Sequence, residues 1–430
     1  MTEIDATPAP APRRRPARAR TTWMAAVLLA GGLTLTGCST TSTDTATSST
    51  ASSSTSSSIT DAAAASTTDA TTTAQTISDT AAAAEAFLAT LSEEQREAVL
   101  YAYDDETKTT SWSNFPVTFV ERAGLNLTDL TAEQQSAALA VLEALLSDEA
   151  YQTVTAIMGG DEYLLENSNS TEESLGQYYI AFFGDPSTTS SFEVQFGGHH
   201  LGINATLDGT SDAITFAPTH LGVQPAVYTD ADGNEVQPFD GIYTDAFAFF
   251  DSLTAEQQAT LTSGEVSSCA PGDTCDFATG TGLTGAELTE EQKQLLLELI
   301  ANWAGMADEE STATTLAQIE VTLDDTVVAW SGETTYDMST GDGISFSISG
   351  PNVYVSFQAQ NGSAGADVDG VTTSGWGHVH TIYRDPTNDY AGSVTQQAAF
   401  GMGGGAAPGG AAPGGAAPGG AAPGGAPSGE

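Results

Sequence analysis

Ser191-Phe192-Glu193-Val194-Gln195-Phe196-Gly197-Gly198-His199-His200-Leu201-Gly202-Ile203-Asn204 reads as a β-hairpin. Two alternating runs flank Gly197-Gly198, a dipeptide that supplies the positive φ a tight turn demands. With those glycines as the loop, Phe196 faces His199, Val194 faces Leu201 and Phe192 faces Ile203, which makes one apolar face. The other face carries Glu193, Gln195, His200 and Gly202, because successive side chains alternate across a strand. His199 therefore falls with the core residues and His200 with the polar ones. The chain has only 5 histidines. A second pair lies in Trp376-Gly377-His378-Val379-His380-Thr381-Ile382-Tyr383-Arg384-Asp385-Pro386, and His220 follows Ala217-Pro218-Thr219. The expectation is that the fold brings the two pairs together.

Outward from the hairpin, one short pattern recurs. Leu91-Ser92-Glu93-Glu94-Gln95, Leu130-Thr131-Ala132-Glu133-Gln134, Leu253-Thr254-Ala255-Glu256-Gln257 and Leu288-Thr289-Glu290-Glu291-Gln292 each place Gln three residues after Ser or Thr. That is a capping box, which satisfies free amides at a helix start, so helices are predicted to begin near 92, 131, 254 and 289. Strands are predicted at Tyr178–Phe183, Ala213–Phe216, Thr326–Trp330, Ile344–Ile348, Val353–Phe357 and His378–Tyr383. A second hairpin turning at Ser349-Gly350-Pro351-Asn352 would set Ile348 opposite Val353, Phe346 opposite Val355 and Ile344 opposite Phe357. The class is α+β with a mainly antiparallel sheet and packed helices, in two pseudo-repeated helix-plus-hairpin halves.

The ends of the chain speak to its address. Arg13, Arg14, Arg15, Arg18 and Arg20 precede an apolar stretch from Trp23 that is too short to span a bilayer. It ends in Leu35-Thr36-Gly37-Cys38, which resembles the lipobox of bacterial lipoproteins. Residues 1–37 are then a lipoprotein signal peptide exported by the general secretion route, with Cys38 lipidated. Residues 38–80, nearly all Ser, Thr and Ala, read as a disordered stalk, and 399–430, with repeated Ala-Ala-Pro-Gly-Gly, as a disordered tail. Residues 81–398 are the globular part. The leader holds five of the 10 basic residues but only Glu3 and Asp5 of the 56 acidic ones, so the remaining chain carries a net charge of −49. Such a surface repels nucleic acid and anionic headgroups. Outside the cytoplasm, Cys269 and Cys275 around a Pro-Gly turn form a loop-closing disulfide in the simplest reading.

The order of Trp112-Ser113-Asn114-Phe115-Pro116, Gly198-His199-His200-Leu201, Gly350-Pro351-Asn352-Val353-Tyr354 and His378-Val379-His380-Thr381-Ile382-Tyr383-Arg384-Asp385-Pro386-Thr387-Asn388-Asp389-Tyr390 resembles the domain-of-unknown-function family 3500. The likeness spans most of the globular part and implies no reaction or ligand.

The chemistry of the residues gives a sharper idea. His378 and His380 sit two apart on a strand and project from one face, so both can reach one ion. His200 would be a third ligand, with His199, His220, Glu193 or Asp385 completing or orienting the set. Three imidazoles suit zinc, copper or iron. The alternative is a buried hydrogen-bonded histidine network. Arg384 is a candidate clamp for a substrate carboxylate, or else a partner of Asp385 or Asp389. Asp230-Ala231-Asp232-Gly233-Asn234-Glu235 reads as an Asp-Gly hairpin turn rather than a calcium loop. No Gly-x-Ser-x-Gly elbow or Walker-type loop occurs. Three classes stay open: a surface lipoprotein with a metal site, catalytic or metal-carrying; a binding module for a cell-wall or small-molecule ligand, with Trp112, Trp330 and Trp376 exposed; and a structural envelope protein.

Overall fold

A computed structural model describes residues 71–172, 174–267, 277–363 and 365–395. Cys38, Cys269, Cys275, the leader, most of the stalk and the Ala-Ala-Pro-Gly-Gly tail lie outside the described residues. The first half runs through helices α1 (Thr73–Ala89) and α2 (Glu93–Val99), short strands β1 (Leu100–Tyr101) and β2 (Leu125–Asn126), and helices α3 (Ala132–Leu145) and α4 (Asp148–Asn167). Strands β3 (Tyr179–Phe183), β4 (Ser191–Gly197), β5 (Leu201–Asp208), β6 (Ala213–Thr215) and β7 (Thr219–Val223) follow. A small ribbon, β8 (Tyr228–Thr229) and β9 (Glu235–Val236), turns at the Asp-Gly segment as expected. The second half runs α5 (Asp240–Ser252), α6 (Ala255–Thr262), β10 (Leu283–Thr284), α7 (Glu290–Ala304) and α8 (Glu309–Glu320). It closes with β11 (Val327–Gly332), β12 (Ile344–Ser349), β13 (Tyr354–Gln360) and β14 (Gly375–Arg384).

All four expected capping boxes form, at Ser92, Thr131, Thr254 and Thr289. They are also joined in pairs. Gln134 Nε2 donates to Thr90 O at 3.0 Å and to Gln95 Oε1 at 3.1 Å. Gln292 Nε2 donates in the same way to Ser252 O at 2.9 Å and Gln257 Oε1 at 3.0 Å. The recurring Gln thus caps its own helix and staples it to the preceding one. Helix α1 begins inside the stretch expected to be stalk, so the ordered chain starts ahead of residue 81. Its Thr/Ala-rich composition hides a buried stripe of Ile77, Ala81, Ala84, Phe87 and Leu88.

The main sheet has the order β1-β3-β4-β5-β7-β14-β13-β12-β11-β10, with β2 on β3 and β6 on β5. It is antiparallel except for β1 beside β3. Each half lays down a meander that ends at the centre, where β7 meets β14 with His380 opposite Gly222 and Ile382 opposite His220.

Both hairpins close later than the sequence suggests. Gly197 pairs Gly202 and Phe196 pairs Ile203, so the first loop is Gly198-His199-His200, with Gly198 N–H donating to Leu201 O at 2.8 Å. In the second, Ile348 pairs Val355 and Phe346 pairs Phe357. Both slips are by an even number of residues, which keeps every strand side chain on its expected face. They do move His199 and His200 off the strand and into the loop.

One face of the sheet packs Phe192, Val194, Phe196, Ile203, Leu221, Phe346, Val355 and Phe357 with the helices in a single apolar core. The opposite face carries Glu193, Gln195, Asn204, Thr206, His220, His380, Ser356 and Ser347, and these too are buried. Alternation usually leaves such a face wet. Here it is roofed by chain around residues 108–122 and 385–393. Trp112 packs on Tyr354 and Ile382 and donates its indole N–H to Tyr390 Oη at 2.8 Å. Lys108 Nζ lies 2.8 Å from Glu193 Oε2, with both side chains fully buried. A roofed polar face must satisfy its polar groups internally.

Candidate metal centre

Every histidine of the chain reaches one place on the roofed face. His199 and His200 come from the β4–β5 loop, His220 from β7, and His378 and His380 from β14. His380 is the hub: its ring centroid is 5.9 Å from His199, 5.2 Å from His200, 5.3 Å from His220 and 5.0 Å from His378. None of the five is more than 8% exposed. Two glycines make room. A Cβ at Gly198 would stand 2.5 Å from Gln177 O, and one at Gly222 would crowd Val379 O, the His220 ring and His200 O. Arg122, itself buried, holds the loop by donating to Gly198 O from Nε at 3.3 Å and Nη2 at 2.9 Å.

The hydrogen bonds fix the tautomers. Tyr178 Oη–H donates to Asp161 Oδ2 at 2.7 Å, and the other oxygen accepts the Nδ1–H of His200 at 2.5 Å. That leaves His200 Nε2 with a bare lone pair. Gly362 O can only accept, so His378 donates to it from Nδ1 at 3.1 Å. The neutral His378 ring is then an acceptor at Nε2, and His380 Nε2–H donates to it at 3.0 Å. His380 Nδ1 is left with its lone pair. His199 Nδ1, His200 Nε2 and His380 Nδ1 are all buried without a hydrogen-bond partner. His199, His200 and His380 offer ligand atoms within 4.8 Å of one another, close enough for one ion.

Electrostatics keep these rings neutral. Burial pushes the pKa values of His199, His200 and His380 well below the ordinary histidine value, and it lowers His378 as well. His220 is brought down to about 4 by the same loss of water. Neutral imidazoles are the form that ligates metal. Burial raises Asp161 to about 6, against the pull of the neighbouring imidazoles and the Tyr178 hydrogen bond. A carboxylate that orients a ligating histidine through its distal N–H is the usual outer partner of a metal site.

The expected ligand set is therefore rearranged. His200 and His380 join the cluster. His199, ranked as a weaker candidate, replaces His378, whose two nitrogens face Gly362 O and His380. His220 stacks flat on His380, but its nitrogens face Thr381 O at 2.9 Å and His199 O at 3.2 Å. Glu193 pairs with Lys108 instead. Asp385 accepts from Thr387 N–H and Oγ1–H at 2.8 Å in its own turn. Arg384 is 1% exposed and donates from Nε and Nη2 to Asp389, both at 2.8 Å. A substrate clamp needs an accessible guanidinium, so the pairing alternative is the one observed. Trp112, Trp330 and Trp376 are buried, which removes the exposed aromatic surface expected of a binding module.

Two acidic groups escaped the sequence reading. Asp161 sits on α4, and its signal was present: Val154, Ile157, Asp161 and Leu164 share one buried stripe at helical spacing. A carboxylate on a core stripe requires a partner. Glu172, in the loop after α4, places Oε2 at 3.7 Å from His199 Nδ1.

Among the described residues, no helix is long and apolar enough to cross a membrane. No curated protein and no solved structure matches the chain. Residues 73–392 match the family described as "Protein of unknown function (DUF3500)". That match takes in both meanders, the roof and all five histidines, and the chain belongs to this family.

Proposed function

We propose that this chain is an exported lipoprotein, tethered through Cys38, that holds one transition-metal ion between His199, His200 and His380. The observation that carries the reading is three buried ring nitrogens, bare of hydrogen-bond partners, on rings within reach of a single ion. Three such orphans in an apolar network would be costly, each forfeiting about 1–3 kcal/mol, whereas an ion satisfies all of them. The donor set suits zinc, copper or iron, with Asp161 orienting His200 and His378 orienting His380. Enclosure favours holding or carrying the ion over turnover of a large substrate, since no ligand ring is freely exposed.

The test is elemental mass spectrometry of the full chain purified from the membrane fraction. Near-stoichiometric zinc, copper or iron is expected, lost in His200→Ala/His380→Ala while the circular dichroism spectrum is retained. Absence of bound metal, together with no uptake on reconstitution, would overturn the metal reading. Recovery of the chain only from the medium would remove the tether.

A further inference from the structure

The trio supplies three donors, whereas an ion of this donor chemistry takes four or more. Among the described residues, the acidic, cysteine and histidine side chains whose ligand atoms come within reach of one ion are His199, His200 and His380. Their neighbours are committed elsewhere. One Asp161 oxygen takes the His200 N–H and the other the Tyr178 hydroxyl. His378 and His220 direct their nitrogens at backbone carbonyls and at His380. The fourth position therefore falls to a ligand from outside the chain. Where solvent reaches the rings sets its direction. The His200 and Asp161 side chains are 0% and 1% exposed, whereas those of His199 and Glu172 are 10% and 15% exposed. Glu172 Oε2 stands 3.7 Å from His199 Nδ1. It lies outside the group of ligand atoms, at the distance of a second layer: a metal bond of about 2.0 Å followed by a charge-assisted hydrogen bond of about 2.7 Å spans that gap. The carboxylate is also held in place, since Ser174 Oγ–H donates to its other oxygen and the Glu172 N–H donates to Ser170 Oγ at 3.1 Å.

We infer that the ion keeps one open coordination position on the His199 side, and that Glu172 overhangs it as a carboxylate that accepts a hydrogen bond from whatever binds there. The inference rests on the metal reading above and names what that site takes: a small protic molecule, water-sized and exchangeable with solvent. Two features select this class. The narrow exposure at His199 and Glu172 excludes a bulky ligand. An ionised carboxylate offers only acceptors, so it favours a ligand that carries a proton and opposes one that carries a negative charge. An open fourth position is also what distinguishes an ion that engages a ligand from one that is purely structural.

Cobalt(II) with azide is the probe, because the visible absorption of cobalt reports ligand exchange. Full-length wild type loaded with cobalt is expected to change its spectrum on adding azide, as azide displaces a water molecule and donates its own lone pair to the ion. Glu172→Gln keeps the shape but removes the repelling charge. Loaded with cobalt to the wild-type stoichiometry, it is expected to bind azide about tenfold more tightly. Glu172→Ala should show the same gain, and matched thermal unfolding of the apo proteins separates this from misfolding. The wild-type titration decides the open position without any variant: cobalt protein whose spectrum azide leaves unchanged overturns this inference alone. Equal azide affinity in wild type and both variants removes Glu172 from the position and overturns it as stated. Loss of cobalt from the variants would make Glu172 a ligand, which overturns it too. If wild type takes up no cobalt or other divalent ion, the metal reading and this inference fall together.

Discussion

In the proposed metal site, Asp161 orients a ligand without itself being one. Its two oxygens fix the His200 ring and hold the Tyr178 hydroxyl. Asp161→Asn keeps the volume but turns an acceptor into a donor at one atom, so His200 loses the constraint that leaves Nε2 bare. Metal affinity is expected to fall about 10–100-fold, measured by competition with a chromophoric chelator, with little change in the apo fold. The histidines also make apo stability depend on acid. His220 has a folded value of about 4 against an ordinary 6.5, so below pH 6.5 the unfolded chain binds protons that the folded one refuses. Its stability contribution is therefore complete above about pH 6.5 and is lost as pH falls towards 4, by up to about 3 kcal/mol. The other four rings shift in the same direction. Asp161 opposes them, because its raised value of about 6 against 3.8 favours the folded state as pH drops. Burial raises Glu162, Glu172 and Glu193 as well, but the five imidazoles, three of them shifted well below the ordinary value, outweigh these carboxylates, so the urea midpoint of the apo protein should fall between pH 7 and pH 5. A flat profile would mean that the rings are not buried neutral.

At the level of elements, the helix starts were legible because a capping box is local: Thr131 and Gln134 find each other across three residues whatever lies beyond them. What the pattern did not reveal is the coupling of one box to the next. Gln134→Ala or Gln292→Ala removes both a cap and a staple, and each is expected to cost about 1–2 kcal/mol in chemical denaturation. The corresponding change at the exposed Gln75, which caps nothing, should cost far less. Hairpin register was less legible, since Gly197-Gly198 is a good turn sequence while the observed loop begins one residue later. The faces survived because both slips are even. Strand β7 was missed for a different reason: Thr219-His220-Leu221-Gly222-Val223 contains a glycine and lies between Pro218 and Pro225, which reads as loop. Only pairing with β5 and β14 makes it a strand. Helices α1, α4, α5 and α8 lack the repeated box, and so went unseen.

For the whole molecule, the class and the antiparallel sheet were legible from periodicity, while the meeting of the two histidine pairs was expected only from the scarcity of histidine in the chain. The roof was not. Nothing local in Trp112 or Tyr390 says that they bond to each other across the polar face, and without a roof the alternation argument leaves that face in water. The first half runs two helices, two short strands, two helices and a meander, the second two helices, one short strand, two helices and a meander, so the expected pseudo-repeat is not established by the order of elements. The halves join at β7 and β14, and the histidine cluster straddles that seam. This has a consequence for when the site can exist. His199, His200 and Asp161 emerge early in synthesis, but His380 lies on the last strand. No chain that stops short of β14 possesses all three histidines. An ion held there, as proposed, is taken up only after the final strand has docked, and if the chain is exported as proposed, the compartment in which folding is completed sets which metals compete for it.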